Sequence, residues 1–118
     1  MNITIKNKDY CINFGVAFIR ALDNKYFSTG VGGAKFGLGL EVTVPKLLGG
    51  DAVALSDVLY EGTASEKSRP TQKDVDSYVD SVEDIDELFK EVIEELKNTN
   101  ATKKKMVTIL EAMETPKK

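Results

Sequence analysis

The chain has no histidine, no tryptophan and a single cysteine among its 118 residues. Histidine is the side chain best placed to exchange protons near neutral pH and the commonest metal ligand, so its absence removes most hydrolase, zinc and haem chemistry. A lone thiol without histidine lacks the base that a cysteine nucleophile ordinarily uses. Cys11 stands in the alternating run Tyr10-Cys11-Ile12 and is expected to be a buried or half-buried structural thiol. One cysteine permits no internal disulfide, which fits a reducing compartment. Without tryptophan there is no large aromatic platform for a sugar ring. Long apolar runs are missing too: a membrane span needs about 20 uncharged apolar residues, and the best window, Val31 to Leu48, is broken by Lys35, Glu41, Pro45 and Lys46. The segment Met1 to Lys6 lacks the basic start and apolar core of a signal peptide. The expected location is the cytosol.

What is present is an ordinary globular composition, 42% hydrophobic and 30% charged, in a length suited to one domain that buries roughly two thirds of its unfolded surface. The charge is unevenly placed. Between Asp74 and Glu95 ten acidic residues face Lys90 alone, a net −9, so the remainder carries +6 to give the overall −3. Such a block repels phosphate and disfavours nucleic-acid binding. It is either a solvated helix face or a docking face for a basic partner.

Ile3 and Ile5 alternate with polar neighbours, Lys6 to Asp9 offers a turn with Asn7 suited to positive φ, and Tyr10-Cys11-Ile12 resumes the pattern; this predicts a hairpin. Asn13 is placed to cap a helix carrying Val16, Phe18, Ile19 and Leu22, ended by Asp23-Asn24-Lys25. Ser28 to Gly33 reads as a flexible loop, and Ala34 to Leu48 as a largely apolar helix weakened by Gly37 and Gly39 and kinked or restarted at Pro45. Gly49-Gly50 stops it, and Asp51 caps a helix that buries Val53, Leu55, Val58, Leu59 and Tyr60. Gly62 to Pro70 is a polar surface linker. Thr71 with Asp74, and Ser81 with Asp84, resemble capping pairs ahead of helices whose apolar faces are Val75, Tyr78 and Val79, then Val82, Ile85, Leu88, Phe89, Val92 and Leu96. After an interruption at Asn98 to Thr102, Lys103 to Met113 forms a last amphipathic helix, with Thr115 to Lys118 as a frayed tail. The predicted fold is α+β, mainly α: an N-terminal hairpin, then five or six helices. Residues 1–97 are expected as the main domain and 98–118 as a C-terminal helix and tail.

Motifs for chemistry fail on spacing. In Gly30-Val31-Gly32-Gly33-Ala34-Lys35, Ala34 and Phe36 occupy the places where a Walker loop needs Gly and Ser or Thr, and no third glycine completes a dinucleotide fingerprint. The acidic segment has no glycine for a calcium loop. Paired carboxylates for glycoside chemistry have no spacing to support them. No cofactor or metal site is therefore expected, and no enzyme. What remains is association. The segment carrying Phe36, Leu38, Leu40, Val44, Leu47 and Leu48 is apolar around most of a helix, hence either central to the core or shared with another chain. Phe89, Val92 and Leu96 are the further contact candidates. A distinct alternative is an acidic adaptor or nucleic-acid mimic that uses the Asp74 to Glu95 face against a basic partner.

Taken in order, Phe14 to Asp23, Lys35-Phe36-Gly37-Leu38-Gly39-Leu40, Ala54 to Thr63, and Arg69-Pro70-Thr71-Gln72 with Glu83-Asp84-Ile85 resemble the tail assembly chaperones of long-tailed phages of Gram-positive bacteria, over about residues 1 to 97. The resemblance implies a non-enzymatic homo-oligomer that coats the tape measure protein in the host cytoplasm and is left out of the mature virion. It also implies two product lengths, the longer made by a programmed frameshift and recruiting tail tube protein, with this chain similar to the short form. Apolar patches for a helical client, a charged exterior and many weak contacts along one client suit that task physically.

Overall fold

The computed structural model describes residues 1–114; the expected tail Thr115 to Lys118 lies outside them. The N-terminal hairpin forms as its alternation demands. Strands β1 (Asn2–Ile5) and β2 (Lys8–Cys11) pair antiparallel with Ile3 opposite Tyr10, and the two-residue turn puts both Lys6 and Asn7 at positive φ, the geometry whose twist suits tight hairpins. Ile3, Ile5 and Tyr10 point into the core. Cys11 points the other way and is exposed, which corrects the buried thiol: in a period-2 strand the neighbours of inward Tyr10 and Ile12 must face outward.

Helix α1 (Val16–Lys25) buries Phe18 and Leu22, while Val16 is exposed. Its start corrects the expected cap. Asn13 Oδ1 accepts from the Gly15 N–H at 2.7 Å rather than from the helix itself. The largest departure follows. Where a loop and one long helix were expected, the chain makes a second antiparallel hairpin, β3 (Phe27–Thr29) with β4 (Lys35–Gly37), joined through a single 3₁₀ turn, before α2 (Gly39–Leu48) begins. Phe36, Leu38, Leu40, Val42 and Val44 alternate at period 2 as well as lying on a helix, so periodicity alone cannot place the boundary. Backbone chemistry places it: Asp23 Oδ1 accepts from the Gly39 N–H at 2.8 Å, capping α2 from α1. A Cβ at position 37 would lie 2.3 Å from the Asp23 carboxyl carbon, so glycine is needed for this approach. α2 runs through Pro45 as one helix and ends at Gly49, with Gly50 at φ +82°.

Asp51 caps α3 (Ala52–Glu61), its side chain accepting from Ala54 N–H at 3.0 Å. Leu55, Val58 and Leu59 are fully buried, whereas Val53 is exposed. The 62–70 linker is tightly held. Arg69 donates to Thr63 Oγ1 at 3.1 Å and to the Tyr60 carbonyl at 3.0 Å, and its guanidinium lies 4.2 Å from the Tyr60 ring centre. Glu66 accepts from the Cys11 N–H at 2.8 Å, occupying a donor on the outer edge of β2 that would otherwise be free to pair.

Helix α4 (Gln72–Ser81) opens on the expected capping box of Thr71 and Asp74. Backbone donation from Thr71 and the nearby Lys6 ammonium hold the Asp74 carboxyl below the usual aspartate range. For α5 (Ile85–Asn98) the cap is Asp84, accepting from Glu87 N–H, and not the Ser81 pair; Val82 is already extended, so Ser81 closes α4. Helix α6 (Asn100–Glu114) follows after Thr99 alone, a shorter break than the sequence implied. It buries Thr102, Met106 and Ile109 against α5, α2 and α1. Six helices thus enclose one core with the first hairpin laid on it, an α+β, mainly α fold as expected.

Candidate partner-binding surfaces

The nine contact candidates divide by depth. Leu40, Val44, Leu47, Val92 and Leu96 are at most 2% exposed and belong to the core. Leu38 and Phe89 are half-buried; Leu48 and Phe36 are 47% and 55% exposed. Burial follows helix phase: on α2 the inward set is 40, 44 and 47, and on α5 it is 88, 92 and 96, so residues one step off these stripes come to the surface.

Two of the outward candidates meet. Leu48 at the end of α2 and Phe89 on α5, with Ile93 and the edge of Leu47, line an open groove of about 450 Å³ flanked by Lys90 and Glu94. Ile93 was not singled out in the sequence, although its place four residues after Phe89 on an amphipathic helix is the signal that finds it. Phe36 lies elsewhere, on the β3–β4 arm. That arm carries Phe27 at 48% and Val31 at 100% exposure, with Lys35 Nζ 4.4 Å from the Phe27 ring centre. The phenylalanine rings sit on opposite faces of the ribbon, since Phe27 is registered with Gly37 and Phe36 with Ser28. A second, larger groove of about 530 Å³ runs between α6 and α2.

The cleft between α3 and α4 holds a hydrogen-bonded polar group. Ser56 donates to Asp76, Gln72 donates to both, and Asp57 is held by Tyr26 and Lys25. Among the described residues no group of three or more acidic or thiol side chains is arranged to hold a metal ion, and no helix is long and apolar enough to cross a membrane.

Tyr26 is the most perturbed group of this network. Burial, then the hydrogen bond to Asp57 at 2.7 Å, then the negative charges of Asp57, Asp51 and Glu61 push its phenol well above the usual value. A raised folded-state pKa means that the stabilising contribution is complete below the unfolded value of about 10 and is lost as pH rises through the folded value. Stability should therefore fall above about pH 10 more steeply in the native chain than in Tyr26→Phe, read as urea midpoints at about pH 8 and 11. Equal slopes would remove Tyr26 as the cause. Nearby, burial raises the Glu61 carboxyl against the opposing pull of Arg69.

What the described surface offers is contact area: grooves between helices, an exposed ribbon, and polar groups bonded among themselves. The chain belongs to the phage tail assembly chaperone protein (TAC) family, whose model it matches over residues 2–111. It is thus a phage tail assembly chaperone, working with partner proteins of tail assembly. No curated protein and no solved structure matches it.

Proposed function

We propose that this chaperone binds the tape measure protein and keeps it soluble in the host cytoplasm until the tail tube encloses it, leaving before the virion is complete. The observation that carries this is the α2–α5 groove, where Leu48, Phe89 and Ile93 leave an apolar trough open beside alternating charges. An amphipathic helix can lay its apolar face there. Phe36, on the opposite face of the arm from Phe27, supplies a second contact. Copies of the chain associate along the client, so individually weak contacts add through multivalency. A frameshifted longer form would add the surface that recruits tail tube protein.

Co-expression with the tape measure protein tests this. The client is expected to become soluble in a complex that persists in about 0.5 M salt, because apolar contacts are not screened as charge pairs are. Leu48→Asp, at an exposed site, is expected to remove most of the gain without changing the thermal midpoint. Equal insolubility of the client with and without the chaperone sinks the proposal. A complex that dissolves steeply with salt would instead favour the acidic adaptor.

A further inference from the structure

The groove between α6 and α2 takes no part in the proposed client contact: it shares no lining residue with the α2–α5 groove. It is lined by Ala101, Thr108, Ile109 and Ala112 with Lys104 and Lys105, the latter paired with Glu41 at 3.0 Å. We infer that this groove seats α6 of a second copy of the chain, packed antiparallel about a twofold axis. This deepens the reading that copies associate, by assigning the face they use.

Charge selects the occupant and its direction. The first half of α6 carries Lys103, Lys104 and Lys105 and no acid; the second half carries Glu111 and Glu114 and no base. A parallel partner would lay like charges together, whereas an antiparallel one sets each basic half beside an acidic half, twice over. The groove residues agree with that direction. Ala101, Lys105, Thr108 and Ala112 follow the four-three-four spacing of a helix-pairing seam. Reversed on itself, the seam places Ala101 opposite Ala112 of the second copy and Lys105 opposite Thr108. At 15 residues, α6 is about 22 Å long, so a single helix pair forms the contact. Such an interface falls at the small end of specific ones, giving a dissociation constant on the order of 10 μM. The contact is isologous and closes at two copies. Longer arrays along a client then require the client itself or another face.

The test uses the full chain in a Cys11→Ser background, with Ala101→Cys and Ala112→Cys made separately; both sites lie on the groove and neither is fully buried. Under mild oxidation, mixing the two is expected to give roughly ten times more crosslinked dimer than either alone, as a tenfold difference in pairing would. Crosslinking of either variant with itself as efficiently as in the mixture overturns the antiparallel register. Sedimentation velocity of the unmodified chain should show dimer at about 100 μM in about 50 mM salt and a shift towards monomer at about 500 mM. Lys104→Glu should weaken the dimer roughly tenfold or more with unchanged circular dichroism. A chain that stays monomeric at low salt, or a dimer that ignores Lys104→Glu, overturns the inference. Client solubility is read separately: a dimer that crosslinks as expected beside an insoluble tape measure protein leaves this inference standing and removes the holdase proposal alone.

Discussion

Leu96→Ala is expected to lower folding stability by about 2–5 kcal/mol, the range for emptying a fully buried leucine site, and the thermal midpoint by roughly 10 °C or more for a domain of this size. Leu96 is wholly enclosed, on the α5 stripe that meets α2 and α6. The truncation loses transfer free energy and leaves a cavity whose lining cannot follow. Phe89→Ala, at a half-buried site on the same helix, should cost less while weakening client binding. Urea unfolding of both variants checks the pair. A Leu96→Ala protein as stable as the native chain would show that the α5 stripe is not core, and would restore Leu96 as a surface contact.

Gly62→Ala has the second largest expected effect, and two opposing terms decide its sign. Gly62 has φ −65° and ψ −12°, ordinary right-handed helical values, so alanine meets no backbone strain. On chain entropy alone it would stabilise by about 0.4–1 kcal/mol. A Cβ there, however, would lie 2.5 Å from Ile12 Cγ2 and 3.2 Å from both Phe14 Cε1 and the Leu59 carbonyl oxygen. Ile12 and Phe14 are each 3% exposed and have no room to retreat, and Asn13 N–H is bonded to the Gly62 carbonyl at 2.8 Å, tying the two segments together. Overpacking typically costs about 1–3 kcal/mol and should win, leaving Gly62→Ala about 1–2 kcal/mol less stable. A more stable variant in urea would mean that the hairpin end can shift away from α3.

Helices α3 to α5 were legible because their signals are local and redundant. Asp51, Thr71 and the 88, 92, 96 stripe each combine a cap or a period with an apolar face. The arm was not legible, since its strands are three residues long and what ends them is the Asp23 carboxylate capping α2 from another helix. Cys11 has apolar residues on both sides, which suggests burial for a small apolar thiol, whereas a strand sends alternate residues to opposite faces. Among the contact candidates, sequence hydrophobicity found the right helices without fixing their rotation: Leu47 and Leu48 are adjacent, yet one is 2% exposed and the other 47%. Only the packing of α2 against α1, α3, α5 and α6 fixes that rotation.

Among the described residues the β3–β4 ribbon has no third strand on either side, and strand rims left open in this way are templates on which neighbouring chains can add and fibrils can grow. Under the proposed coating of a client by many copies, local density would be high enough for such templating to spread. Three features restrain it here: each strand offers only three residues, Lys35 puts a charge on the ribbon, and Gly30 and Gly37 interrupt it at opposite ends. A holdase of the proposed kind is thereby kept from seeding its own precipitation.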